Sequence, residues 1–326
     1  MAIVTGLGTT WNLPNYSGEL FTADATVTPL LSMTGGLTGG RMTDNFEFVT
    51  SQLYDFPAAA QPDISEQASA TAPTAAQMTR AQETNVVQIH QERINLTYAK
   101  MSNSGRLSGI NTAMQSANPP SERNWQIEKK LQKIARDVEY SFINGVYQKA
   151  GNASTSNRTR GLIPLTKGTG GTTIDAGGYV LTMDMLQALY LAMADSGAEF
   201  ANPVMFLPAK LKQKVTNIYS EVNGFGLPQT RNVGGIDITS ILMDFGQLGI
   251  VWNRFMPNDS ILVADVAYVE PVFQEVPTKG VLFEEELAKT GASDDIQLYG
   301  QIGLAHGPAF LHGSITNIGD EVPEEE

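Results

Sequence analysis

Three histidines and no cysteine set the reactive inventory of this 326-residue sequence. His90 lies in a run that alternates as a strand does, where an imidazole at a surface or an interface is the expected role. His306 and His312 flank a Gly-Pro turn in AHGPAFLH, and metal ligation there would need further donors that the pattern does not supply. The three glutamates at 284–286 and the pair Asp294 and Asp295 could attract a hard cation, but they lack calcium-loop spacing and read as solvated runs. The missing cysteines exclude disulfides, thiolate metal sites and cysteine nucleophiles. No phosphate-loop lysine motif, nucleophile-elbow serine or HExxH pair occurs, and the paired glycines do not form GxGxxG between a strand and a helix. The sequence thus nominates no catalytic, cofactor-binding or metal-binding residue. What remains is electrostatic. Lys129, Lys133 and Arg136, with Lys130 nearby, share one side of a long helix, either as a solvated face or as a basic face turned toward a polyanion.

That helix is the element around which the others are arranged. Over residues 121–150, Ile127, Leu131, Ile134, Val138 and Phe142 recur at steps of three and four, which places them on one stripe. Pro119 and Pro120 block helix upstream, Ser121 can cap the first turn, and Gly151 with Asn152 supplies a stop. At ~1.5 Å per residue the predicted element is about 45 Å long, a spine rather than a packing helix of a small domain.

The totals describe a core-forming chain with a weakly charged surface: 42% hydrophobic and 17% charged residues, with a mean hydropathy of -0.13. The net charge of -13 argues against a dedicated nucleic-acid-binding surface. It is uneven, with nine acids and three bases in 1–99, twelve and two in 270–326, and thirteen and sixteen between them. The first residues lack a basic start and an apolar core of signal-peptide type, and no run approaches the ~18–20 apolar residues of a membrane span. Synthesis and folding in a cytoplasm is the expectation.

Residues 1–40 show neither a helical stripe nor sustained alternation, and the glycine pairs at 35–36 and 39–40 make a permissive backbone. They read as an extended arm with a hinge, which frays or lies on a neighbour. Strands are expected over 44–54, with Phe46 and Phe48 on one face, and over 85–98, with a change of phase and a bulge midway. Residues 55–82 join them through an Ala-, Pro-, Ser- and Thr-rich stretch. Ordering 28 residues at about 1 kcal/mol each would need on the order of 1,100 Å² of apolar burial. The stretch cannot bury that internally, so it is either mobile or ordered by other subunits.

Residues 102–117 read weakly as a helix. A second amphipathic helix is expected over 182–200, with Leu186, Leu189, Tyr190 and Met193 on one face. A buried strand at 203–207 and a helix from Pro208 follow, giving an α/β layer. Further strands are expected at 236–242, 250–252, 261–264, 268–275, 281–285, 297–305 and 309–316, and residues 320–326 read as a frayed acidic end.

This order of parts resembles the major capsid proteins of tailed bacteriophages, the Hong Kong 97 fold. The local text agrees: Thr43-Asp44-Asn45-Phe46-Glu47-Phe48 opens the hairpin, Asn144-Gly145 and Arg160-Gly161-Leu162 bracket a polar loop, and Leu287-Ala288-Lys289-Thr290-Gly291 leads to His306-Gly307. The resemblance covers residues 29–318. It implies an α+β fold with an N-terminal arm (1–40), an E-loop hairpin (41–100), a first P-domain part (101–175) holding the spine helix, an A-domain (176–260) and a second P-domain part with the acidic terminus (261–326). It implies a structural subunit, not an enzyme, that self-assembles through hexamers and pentamers into an icosahedral head around double-stranded DNA, made in a host bacterial cytoplasm and located in the virion. Phe46, Phe48, Phe56, Ile64, Ile89 and Ile94 of the hairpin are then expected at contacts between subunits.

The first lysine is Lys100, so the loop has no amine for an isopeptide weld and a non-covalent shell is expected. No long charged helix precedes the arm, which suggests a separate scaffolding protein; a portal, a decoration protein and non-specifically held DNA complete the expected partners, with no membrane. Two other readings stay open at this point: an encapsulin-type compartment of the same fold, and an unrelated α/β enzyme or binding module.

Overall fold

The computed structural model describes residues 28–37, 39–54, 59–75, 77–102, 122–223, 229–233, 236–243, 246–289 and 291–321. The chain begins with a short helix, α1 (Pro29–Met33), and strand β1 (Arg41–Thr43), then a hairpin of β2 (Glu47–Tyr54) and β3 (Arg80–Val86) with a helical turn α2 (Glu66–Ser69) in its loop. It continues through β4 (Gln88–Thr97), α3 (Tyr98–Ser102), the spine helix α4 (Glu122–Asn144), α5 (Leu162–Thr166) and β5 (Thr172–Asp175). Next come α6 (Met183–Asp195), β6 (Pro203–Leu207), α7 (Ala209–Asn223), β7 (Gln229–Val233), β8 (Ile236–Met243) and β9 (Gly246–Trp252). The last strands are β10 (Ile261–Asp265), β11 (Glu270–Gln274), β12 (Leu282–Glu286), β13 (Ser293–Ala305) and β14 (Gly313–Thr316).

Two sheets carry the body. In the first, long β13 pairs with β11 and β12 along one edge and with β4 along the other, and parallel β1 extends it beyond β11. The second runs β5-β14-β10-β6-β9-β8-β7. Its central strands β6 and β10 are buried on both faces, and side chains that alternate at a period of two divide between two cores. Val204, Phe206, Leu262 and Ala264 join the core around the spine helix. Met205, Leu207, Ile261 and Val263 join Leu186, Leu189, Tyr190 and Met193 of α6 in the other. The apolar face expected on α6 is the face it buries, and Thr182 caps it by accepting from the Met185 N–H.

The spine helix buries Ile134, Val138 and Phe142 as its stripe predicts, with Ile127 and Leu131 partly buried beside them. It ends at Asn144, six residues before the expected limit, and its 23 residues make it about 35 Å long. Two glycines explain the stop. A Cβ on Gly145 would lie 2.3 Å from the Ser141 carbonyl oxygen and 2.5 Å from that of Thr159, and one on Gly161 would lie 2.5 Å from the Gly145 nitrogen. The Gly161 N–H donates to the Gly145 oxygen at 2.7 Å, so the returning chain packs where a further helical turn would stand. The expected upstream cap at Ser121, and the helix expected over 102–117 apart from residue 102, lie outside the described residues.

Residues 29–33 are no part of an extended arm: they form α1, with Leu30 and Leu31 buried in the body. The change of phase in the hairpin's second strand falls at Val87, between β3 and β4, and β4 then pairs with β13 without a shift from Gln88 to Thr97. The register irregularity lies instead in β2, between Val49 and Ser51. Strands β1, β5 and β7 were not expected. At the end of the chain, Asp320 is not frayed: it receives Lys210 at 2.6 Å and Lys214 at 2.9 Å.

Candidate assembly interface

The hairpin leaves the body at an anchor built from one amide and one aromatic ring. Asn85, fully buried, donates to the Leu304 oxygen at 2.8 Å and the Arg160 oxygen at 3.2 Å, and it accepts from the Arg160 N–H at 2.8 Å. The Arg160 guanidinium pairs with Glu83 of β3 at 2.5 Å and lies 4.8 Å from the Tyr147 ring centroid. Phe48 is buried against Val87, Val272 and Ala305, and its ring sits on Gly303, where a Cβ would come within 2.8 Å of Cε1. Nothing in a single sequence marks Asn85, because its partners lie 75 and 219 positions away.

This geometry sorts the expected contact residues. Phe48 and Ile94 are buried within the subunit, so they cannot serve a neighbour: Phe48 faces the sheet, and Ile94 lies in the body core. Phe46, Ile64 and Ile89 are 55%, 68% and 54% exposed, and Met78, at 72%, is a fourth large apolar side chain on the hairpin segment. Phe56 lies outside the described residues. Every described residue of 59–79 is exposed, so the connection leaves its large apolar side chains mostly in solvent.

On the spine helix, Lys133 pairs with Glu92 and, at 3.5 Å, with Asp137, while Lys130 reaches the same Glu92 at 2.7 Å. Desolvation opposes ionisation of Glu92, but the hydrogen bonds from Lys130 and Lys133 outweigh it and hold the carboxyl below its ordinary value. Two of the four cations on this face are therefore tied to β4. Lys129 lies 3.1 Å from the Gln132 oxygen, and Arg136 is exposed.

On another side of the same helix, Glu139 is fully buried and accepts from the N–H groups of Leu30 (3.0 Å) and Leu31 (2.7 Å) and from the Asn253 amide (2.5 Å). One carboxylate thereby joins α1, the spine helix and the turn after β9. Burial pushes its pKa up to about 7, against the pull of those three donors.

All three histidines are interior. His90 is buried under the spine helix, not at a surface, because the inward phase of β4 is His90, Ile94 and Leu96. His312 accepts from the Asp265 N–H through Nδ1 and, with the opposite ring nitrogen protonated, donates to the His306 oxygen at 2.6 Å. His312 thus fastens the end of β10 to the start of the Gly-Pro turn after β13, and burial lowers the pKa of each of the three histidines to about 4. No group of three His, Asp or Glu side chains that could hold a metal occurs among the described residues.

Comparison with known proteins agrees with this architecture. A family model described as SU10 major capsid protein matches residues 3–319. Among solved structures, the capsid of cyanophage A-1(L) is similar over 89% of this chain and 93% of its own, with 11% identity and a TM-score of 0.61. The SrpI encapsulin of Synechococcus elongatus is similar over the full length of both chains, with 11% identity and a TM-score of 0.58. The capsid of the empty GTA particle covers 96% of this chain and 98% of its own, at 12% identity and a TM-score of 0.56. No curated protein matches the chain in sequence.

Proposed function

The chain belongs to the SU10 major capsid protein family, and from that membership we propose how its parts build a shell. It is a structural capsid protein of the Hong Kong 97 fold, placed in the virion head and assembled from many copies of itself. In our reading the copies meet in hexamers and pentamers around packaged double-stranded DNA. The hairpin β2–β3 is the E-loop that overlaps an adjacent subunit, the first sheet with the spine helix is the P-domain, and the second sheet with α6 and α7 is the A-domain.

The observation that carries this reading is the exposure of every described residue in 59–79, with Ile64 and Met78 68% and 72% exposed. An isolated subunit leaves that surface wet; an overlapping neighbour buries it and supplies the free energy of ordering. The fold is shared with an encapsulin, so it is the family match over residues 3–319 that favours a phage head over a nanocompartment.

The absence of lysine before Lys100, which itself pairs with Glu122 at 2.8 Å, supports a shell without isopeptide welds from the hairpin. A portal, a separate scaffolding protein and a decoration protein are the further partners we propose. Weak phosphate contact by Lys129, Lys133 and Arg136 is retained with Lys133 already paired to Glu92 and Asp137. Charge reversal at all three positions should reduce DNA packaging without abolishing empty shells; unchanged packaging would end that assignment. For the shell itself, negative-stain microscopy of the purified chain should show closed particles of uniform diameter. A monomer or small oligomer at every concentration, salt and scaffolding condition would overturn the reading.

A further inference from the structure

Sulfur is distributed unevenly over this fold. The chain has no cysteine, so its methionines are the only side chains that can take an oxygen atom onto sulfur. Met33, Met193, Met205 and Met256 are buried in the two cores, and Met101, Met183 and Met185 pack against those cores partly covered. Among the methionines whose side chains are described, two are exposed, Met42 at 59% and Met78 at 72%. Both belong to the hairpin segment: Met42 lies on β1 at its base, and Met78 in the connection, two residues before β3.

The susceptibility of a thioether follows the access of oxidant to its sulfur. Gln77 and Thr79 beside Met78 are exposed as well, whereas close packing shields the core methionines. Met78 also stands out in its surroundings. From 59 to 79 the large apolar side chains are Ile64 and Met78, and all others are alanine, proline or polar. Ile64 is branched and stiff, while the unbranched Met78 turns about three bonds and adapts to more than one pocket. That suits a segment which, on the shell reading above, meets different surroundings in hexamers and in pentamers.

Oxidation changes the tip of this side chain from apolar to polar. The Sδ lone pair attacks one oxygen of hydrogen peroxide, the O–O bond breaks, and the other oxygen leaves as water after proton transfer. Sulfur gives up two electrons and becomes a sulfoxide, and the peroxide is reduced by the same two. The sulfoxide oxygen is a strong acceptor, and covering it without a donor is costly.

We propose that Met78 is an oxidation site that governs assembly: its thioether lets the hairpin dock on a neighbouring copy, and its sulfoxide holds the subunit back until it is reduced. The proposal rests on the shell reading. Docking in turn covers the sulfur, so free subunits are open to peroxide at this position and finished particles are protected.

Met42→Leu leaves Met78 as the exposed thioether and is the parent for the test. Free subunits of this variant, treated with hydrogen peroxide, should gain oxygen at Met78 on the order of tenfold faster than at Met193, Met205 or Met256, read by peptide mass spectrometry. With Met78 converted, particle yield by light scattering should fall on the order of tenfold, and methionine sulfoxide reductases for both epimers should restore it. In particles assembled beforehand, Met78 should oxidise on the order of tenfold more slowly than in free subunits. Unchanged yield with Met78 fully oxidised, or equal rates in free subunits and particles, would overturn the proposal. Adding Met78→Leu should abolish the effect of peroxide on assembly; a double variant as sensitive as its parent overturns it too. Should a leucine variant not assemble, the unmodified chain is oxidised in steps. Its yield should then fall as sulfoxide appears at Met78, and a yield that follows Met42 instead refutes the proposal. Closed particles from the untreated chain test the shell reading separately.

Discussion

Glu139 stands beside the apolar stripe of the spine helix, and its behaviour with pH follows from that place. Its folded pKa is raised from 4.5 to about 7, so between those values the folded chain holds a proton that the unfolded chain has released. Its contribution is therefore complete below pH 4.5 and is lost as pH rises through about 7. The histidines act in the opposite sense. His90, His306 and His312 are lowered from 6.5 to about 4, so their contribution is complete above pH 6.5 and is lost as pH falls through about 4. Three groups oppose one, and the unassembled chain should lose thermal stability on acidification from pH 6.5 to 4. Glu139→Gln removes the opposing group and should steepen that loss by roughly 2 kcal/mol. Calorimetry across the range checks both, and a profile of unchanged steepness would contradict the assignment of Glu139.

Among the elements, the helices with a local cause were legible and those with a distant cause were not. The stripe of the spine helix and the buried face of α6 are set by side chains three and four apart, and both stand where their spacing places them. The end of the spine helix is set by contact with the chain at 159–161, and α1 by a carboxylate more than a hundred positions away. The bulge expected midway along 85–98 would bring Ile89 and Ile94 to one face, but pairing with distant β13 keeps β4 regular, so they face opposite sides and only Ile94 meets the subunit's own core. Two tests belong here. Gly161→Ala should cost about 1–3 kcal/mol or more, because the Cβ meets backbone that cannot rotate away. Asn85→Ala should cost roughly 2–4 kcal/mol, since it strands polar groups of Arg160 and Leu304. The same variant should speed hydrogen exchange in β2 and β3 more than in α6. Urea titration and exchange mass spectrometry read these effects, and a neutral Asn85→Ala would mean that Phe48 alone secures the hairpin.

For the whole molecule, the reach of the hairpin predicts a difference between free and assembled chains. Amides at 59–79 should exchange at nearly unprotected rates in the free subunit and slow on the order of tenfold or more in particles. Denaturing gels of mature shells should show one band and no ladder, in keeping with a hairpin that has no lysine. The second sheet has a mechanical meaning of its own. Strands β6 and β10 give alternate side chains to both cores, so the body has no internal seam along which its halves could slide. Such a subunit behaves as a stiff tile, and curvature must be taken up at its margins. The hairpin beyond its anchor at Phe48, Glu83 and Asn85 is the natural place for that adjustment. Copies from flat and from sharply curved regions of one shell should superimpose over the body while their hairpins splay from this point.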